Sequence, residues 1–207
     1  MLISDEKKFI FVHVPKTGGS SMSQALQPVS LERQSSRWYS LLRKFGLPRD
    51  YRKFRFLTHG HLRSVERIMP PEIYKEYFKF AFVRNPWDRL VSEYNALMHQ
   101  PNNRRYRRVA KLDGFKGYLE YEAPRIVDSQ VDMLLDSRGE IGVDFVGRFE
   151  NLAADFQHVC ERVGLETDLG HVNAHKHASY RTFYTDETRE FVRKYWHRDI
   201  EAFDYEF

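Results

Sequence analysis

A single cysteine, Cys160, stands in a chain of 207 residues. One thiol cannot form an intrachain disulfide, and its solitude fits a reducing compartment. Its setting, Phe156-Gln157-His158-Val159-Cys160, reads as the inner face of a helix, so an inert core thiol is expected. The chain also lacks any apolar run near the roughly 20 residues that cross a bilayer. Met1 to Lys8 mixes acids with bases and passes straight into a strand pattern, so neither a signal peptide nor a membrane anchor is expected. With Met1 as the natural start, a cytoplasmic protein with no membrane partner follows. The nine histidines show none of the Cys or His spacings of a standard zinc site, and no metal is expected. There is no internal repeat, no low-complexity stretch and no linker, which leaves a single domain over residues 1–207.

What is present is a globular composition, 42% hydrophobic and 15% aromatic, with 30% charged residues and a net charge of only +4. The bases are unevenly placed. Between Pro28 and Phe56 there are eight Lys/Arg against two acids, and Arg104-Arg105-Tyr106-Arg107-Arg108 with Lys111 contains no acid. Such clusters suit an acidic partner through the local field. Trp38, Tyr39 and Tyr106 nearby could stack bases, but acidic glycans need the same charge, and no nucleic-acid partner is expected.

Strand and helix patterns alternate. Phe9 to Val14 reads as a buried parallel strand, followed by a helix from Ser20 to about Leu26. Phe54 to His61 reads as a short strand ending in two histidines, with Ser64 capping the next helix and Glu72 to Tyr77 starting another. Lys79 to Val83 is a strand closed by Arg84-Asn85-Pro86, with Pro86 in the first turn of a helix that runs to about His99. Phe115 to Tyr121 and Val131 to Leu135 read as short helices. Asp144 to Phe149 reads as a strand, Leu152 to Val163 as an amphipathic helix ended by Gly164, and Asp186 to Ile200 as a final helix capped by Thr185 or Asp186. Residues 28–56 and 99–140 hold no clean period and are expected to be acceptor-site insertions or a cap. This alternation predicts an α/β protein with a central parallel sheet flanked by helices in three layers. Ligands then bind outside the carboxyl ends of the strands. Three strand ends carry chemistry: Lys16-Thr17-Gly18-Gly19, His59-Gly60-His61 and Arg84-Asn85-Pro86.

The first of these is a phosphate cradle of unusual order. Gly18-Gly19 lets the backbone approach an anion, and Ser20, Ser21 and Ser23 open a helix whose N–H groups and dipole favour one. In triphosphate loops the lysine follows a Gly-x-x-x-x-Gly run and precedes a Ser or Thr on magnesium. Here Lys16 precedes the glycines, so the anion is held without a metal, with Lys16 acting as a point charge.

Val14-Pro15-Lys16-Thr17-Gly18-Gly19-Ser20-Ser21 resembles the 5′-phosphosulfate loop of sulfotransferases that use 3′-phosphoadenosine 5′-phosphosulfate (PAPS). Phe82-Val83-Arg84-Asn85-Pro86-Trp87-Asp88-Arg89-Leu90-Val91-Ser92-Glu93-Tyr94 resembles the same family's 3′-phosphate motif, and Phe145 to Leu152 its late strand-to-helix junction. The likeness spans nearly the whole chain and favours the carbohydrate-type branch. It implies a P-loop-like sulfotransferase fold, PAPS as co-substrate with no metal, and a carbohydrate or other hydroxyl acceptor. By the same resemblance Pro15, Lys16, Thr17, Gly18, Gly19, Ser20 and Ser21 hold the 5′ end, and Arg84 and Ser92 the 3′-phosphate. Trp87 is expected to pack on the adenine in preference to stapling the helix start. Lys176 and Tyr180 occupy the loop that closes over the nucleotide in the wider family, although the Arg-Lys-Gly of the cytosolic branch is missing.

Sulfuryl transfer needs a base, positive charge on the leaving phosphate and in-line alignment. Lys16 supplies the charge. Histidine is the natural base at neutral pH, and a similar His-Gly-His segment supplies it in the related heparan and chondroitin 2-O-sulfotransferases. That pattern favours His61 as base and His59 as supporting donor, while His13 reads as a satisfied core residue. Two other readings stay open: a non-catalytic nucleotide-binding module, and a metal-dependent phosphotransferase of P-loop type.

Overall fold

The structure is a computed structural model that describes residues 1–31, 50–53, 56–125, 129–167, 169 and 179–207. In chain order its regular elements are β1 (Leu2–Ser4), β2 (Phe9–Val12), α1 (Gly19–Leu26), α2 (Leu62–Glu66), α3 (Pro71–Glu76), β3 (Phe78–Val83), α4 (Pro86–Met98) and α5 (Tyr106–Val109). They continue with α6 (Gly114–Glu122), α7 (Gln130–Leu134), β4 (Phe145–Arg148), α8 (Leu152–Val163), α9 (Asp186–Tyr195) and α10 (His197–Ala202). The chain divides into two compact units, one of Met1–Val83 with Asp132–Val172, the other of Arg84–Val131 with Asn173–Phe207.

The first unit holds a four-stranded sheet in the order β1-β2-β3-β4. β2, β3 and β4 run parallel, with Phe9 opposite Phe78 and Phe80 opposite Phe145. The architecture is thus the α/β one expected, a mostly parallel sheet flanked by helices. All four β2 residues are fully buried, as a central parallel strand covered on both faces requires. One face presents Phe9, Phe11, Phe80 and Phe82 to Met22 and Leu26 of α1 and to Leu152, Phe156, Val159, Cys160 and Val163 of α8. The α8 positions recur at helical spacing. Phe11 stacks on Phe80 with centroids 5.2 Å apart, and each ring so buried contributes roughly 1.5–3 kcal/mol. Cys160 lies in this core, 1% exposed, and burial pushes its thiol up to about 11; the inert reading holds. On the opposite face Lys79 is 7% exposed, and its ammonium is matched by Asp144 at 2.9 Å and the Tyr77 carbonyl at 2.7 Å.

Four expectations change. β1 is an unanticipated antiparallel edge strand, with Leu2 opposite Phe11. The strand expected over Phe54 to His61 is not one: Phe54 and Arg55 lie outside the described residues, Phe56–Gly60 is irregular with a turn at Thr58-His59, and His61 is the N-cap of α2. The place beside β2 is filled directly by β3, and the carbonyls of Leu57 and Thr58 accept from the amine of Met1. Ser64 sits inside α2, not before it; its hydroxyl donates back to the His61 carbonyl at 2.6 Å. The last helix is two, because the backbone at Trp196 leaves helical geometry (φ −109°, ψ 21°). Trp196 is buried there, and Asp199 in the next helix is fully buried too.

The second unit is built on α4, whose start is capped by Asn85: its side-chain oxygen accepts from the Trp87 N–H at 3.0 Å. Pro86 fills the first helical position, as expected. Aromatic rings of Tyr94, Phe115, Tyr118 and Phe183 pack on one another. Thr185 caps α9 reciprocally with Thr188. Among the described residues no helix is long and apolar enough to cross a membrane.

Candidate active site

In the first unit the chain leaves β2 through buried His13 and Val14 and turns sharply into α1. Two residues of that turn are left-handed, Lys16 (φ 69°) and Gly18 (φ 78°). For glycine this costs nothing; for lysine it costs about 1–2 kcal/mol, and such strain clusters where a fold must aim a group. Thr17 is fully buried and its hydroxyl donates to the Val14 carbonyl at 3.0 Å, which locks the turn. Gly18 is the N-cap of α1, and the first N–H groups of a helix have no partner within it. Pro15 and Ser21 are half-buried beside them and Ser20 is exposed.

The glycines also answer to packing. A Cβ on Gly18 would lie 2.7 Å from the Leu152 side chain, and one on Gly19 would lie 2.0 Å from Nε2 of His13. His13 is therefore more than a core residue. Its ring stacks on Phe11, stands edge-on to His59 at 4.6 Å, and lies against the start of α1. The signal was in the alternation Phe9, Phe11, His13, which puts the imidazole on the helix-facing side of the strand. Gly19→Ala is expected to force that ring aside and, as overpacking does, to destabilise by about 1–3 kcal/mol. Thermal unfolding checks this; an unchanged midpoint would contradict the contact.

The two histidines of the irregular segment are held by main-chain carbonyls far away in sequence. Nδ1 of His59 lies 3.0 Å from the His13 carbonyl, and Nδ1 of His61 lies 3.0 Å from the Asp132 carbonyl. A carbonyl only accepts, so in each neutral ring Nδ1 carries the proton and Nε2 the basic lone pair. His59 is exposed and His61 half-buried. They share the unit of the Lys16 turn but not a strand face, and their separate anchors replace the expected i, i+2 alignment. Neither anchor has a local sequence signal.

In the second unit Arg84 is 8% exposed. Gln130 clamps its main chain from both sides, accepting from the Arg84 N–H and donating to the Arg84 carbonyl, each at 2.9 Å. Asp199 in turn accepts from the N–H groups of Gln130 and Val131, both at 3.0 Å. Nothing near Arg84 in sequence announced Gln130. The guanidinium Nε donates to Asp88 at 2.8 Å. Ser92 stands half-buried in the middle of α4. Trp87 is 1% exposed; its indole N–H donates to the Arg189 carbonyl at 3.2 Å and its ring meets Phe207 edge-on at 5.7 Å. These contacts match its helix-stapling role. Tyr180 is half-buried and edge-on to Phe207. Lys176 lies outside the described residues, as do Trp38, Tyr39 and most of the basic stretch 28–56. In the second basic cluster Arg105 is half-buried and ion-paired with Glu93 and Glu122 at 3.1 and 2.7 Å.

Comparison with known proteins gives these parts a common frame. The chain is 25% identical over 221 residues to carbohydrate sulfotransferase 14 of Danio rerio, covering 94% of this chain and 55% of that protein. It is 25% identical over 225 residues to carbohydrate sulfotransferase 9 of Homo sapiens, covering 92% of this chain and 47% of that protein. An uncharacterised protein of Archaeoglobus fulgidus matches at 28% over 100 residues, covering 47% of this chain and 77% of that one. The chain thus spans about half the length of the carbohydrate sulfotransferases that it matches. The model of the Sulfotransferase family aligns with residues 1–206, a span that takes in the left-handed Lys16 turn, the histidine segment and Arg84 together, and the chain belongs to that family.

Proposed function

We propose that this chain moves a sulfuryl group from PAPS to a hydroxyl of a carbohydrate acceptor. The observation that carries the reading is the backbone of Lys16, held left-handed immediately before a glycine-capped helix start. A left-handed lysine next to the N–H groups of a helix start supports the binding of one anion there. In this reading the turn from Pro15 to Ser21 binds the 5′ end of PAPS, and Arg84 and Ser92 bind its 3′-phosphate. The names of the sulfotransferase relatives support the carbohydrate class of acceptor.

The chemistry assigned to the chain is compact. Nε2 of His61 takes the proton of the acceptor hydroxyl as that oxygen attacks sulfur, and the Asp132 carbonyl keeps the ring in the required tautomer. The ammonium of Lys16 offsets the charge that builds on the bridging oxygen as the S–O bond breaks, leaving 3′-phosphoadenosine 5′-phosphate. His59, anchored on the His13 carbonyl, orients the turn. Trp87 fastens the start of α4.

Calorimetric titration with 3′-phosphoadenosine 5′-phosphate in chelator is expected to show saturable binding, and incubation with labelled PAPS and a glycan panel is expected to yield a labelled product. No binding of the nucleotide under any condition would sink the proposal.

A further inference from the structure

In the second unit one buried carboxylate takes no part in the chemistry assigned above. Asp199, in α10, is 0% exposed. A carboxylate taken out of water is costly unless its oxygens are filled, and here main chain fills them. Oδ2 accepts from the Gln130 N–H and Oδ1 from the Val131 N–H, both at 3.0 Å. The buried Arg89 guanidinium stands further off, at 4.0 Å. Gln130 and Val131 open α7, where N–H groups have no partner within the helix. Bonds from such groups to a carboxylate are charge-assisted and roughly twice as strong as neutral ones, so Asp199 fixes where Gln130 stands.

Gln130 is itself fully buried, and its side-chain amide grips one residue, Arg84. The amide oxygen accepts from the Arg84 N–H and the amide nitrogen donates to the Arg84 carbonyl, each at 2.9 Å. The ladder of β3 ends at Val83, so Arg84 is the first residue that no neighbouring strand holds. The Gln130 amide does there what a strand would do, satisfying both main-chain polar groups of one residue. The next residue is held from the same C-terminal stretch as Asp199: the Asn85 side chain donates to the Glu206 carbonyl at 2.7 Å.

We infer that Asp199 is a positioning residue for recognition of the nucleotide 3′-phosphate: through Gln130 it sets the main chain that carries the Arg84 guanidinium. The inference rests on the proposed role of Arg84 at that phosphate. A planar guanidinium binds phosphate best when its fork is aligned with the oxygens. Loosening the main chain beneath it therefore lowers selectivity for the 3′-phosphate, while the binding of the 5′ end, assigned to the Lys16 turn, is unaffected.

Paired titrations of the full chain with 3′-phosphoadenosine 5′-phosphate and with adenosine 5′-phosphate, which lacks the 3′-phosphate, test it without requiring turnover. Wild type is expected to prefer the first by about tenfold or more. Asp199→Asn turns an amide NH₂ toward a main-chain N–H, and Gln130→Glu turns a carboxylate toward the Arg84 carbonyl. Each is expected to cut the preference to about threefold or less, with affinity for adenosine 5′-phosphate unchanged. In an Arg84→Ala background the same changes should not alter the preference further, because effects that act through one residue do not add. A merely structural loss would weaken both nucleotides alike and persist in that background. Amide hydrogen exchange at Arg84 is expected to quicken by about tenfold or more in both variants. Gln130→Glu, which keeps the side-chain volume and the acceptor, decides the matter if Asp199→Asn does not fold. A wild-type preference kept in either folded variant, or unchanged exchange at Arg84, overturns the inference and leaves the Arg84 reading standing. A wild type with no preference between the two nucleotides sinks the Arg84 reading, and the inference with it.

Discussion

Lys16→Ala is expected to reduce turnover by about 10²–10³, the effect of deleting one group aimed at developing charge in a site. Three substitutions separate the charge from the backbone. Alanine removes the ammonium and keeps the left-handed strain, so the thermal midpoint should stay close to wild type. Glycine also removes the ammonium but relieves strain of about 1–2 kcal/mol, so Lys16→Gly should be at least as stable as wild type and equally slow. Arginine keeps the charge in a wider, planar head and should recover only part of the rate. The order Lys, then Arg, then Ala and Gly together, read from kcat beside unfolding curves, is the signature of a charge acting at the reacting centre. If Lys16→Ala and Lys16→Gly turn over within a few-fold of wild type, the turn is a structural corner and the proposed role of Lys16 is wrong.

The second large effect is expected at His61. Replacing a general base lowers rates by about 10²–10⁴, and His61→Ala should do so while leaving affinity for 3′-phosphoadenosine 5′-phosphate nearly intact. His59→Ala is expected to behave differently. It removes the anchor on the His13 carbonyl and should weaken nucleotide binding more than it slows transfer. Rates and affinities measured for both variants decide between them: a His61→Ala rate within a few-fold of wild type, with His59→Ala inactive, would move the base to His59.

The legible parts of the molecule are those whose cause is local. A hydrophobic run closed by Lys16 and two glycines reads as strand, turn and helix because each step depends on neighbours in sequence. The same holds for Val83-Arg84-Asn85-Pro86, where Asn85 caps and Pro86 starts α4, and for Gly164, left-handed at the end of α8. The segment after Arg55 departs from the expected strand for the converse reason. Aromatic residues gave it a strand's look, but a strand needs a partner, and β3 had already taken the edge of β2.

From residue order alone come the element types, the anion-binding turn, the arginine after β3, the histidine segment and the family resemblance. All of these are carried by short-range pattern. Tertiary structure alone decided how the side chains are aimed: His59 on a carbonyl 46 residues away, His61 on one 71 residues away, Arg84 clamped by Gln130 across 46, and His13 pressed on Gly19. Hydrogen bonds and close contacts of that range depend on which elements the core brings side by side. Burial of the phenylalanine face between sheet and helices sets that arrangement, and no stretch of the chain encodes it by itself.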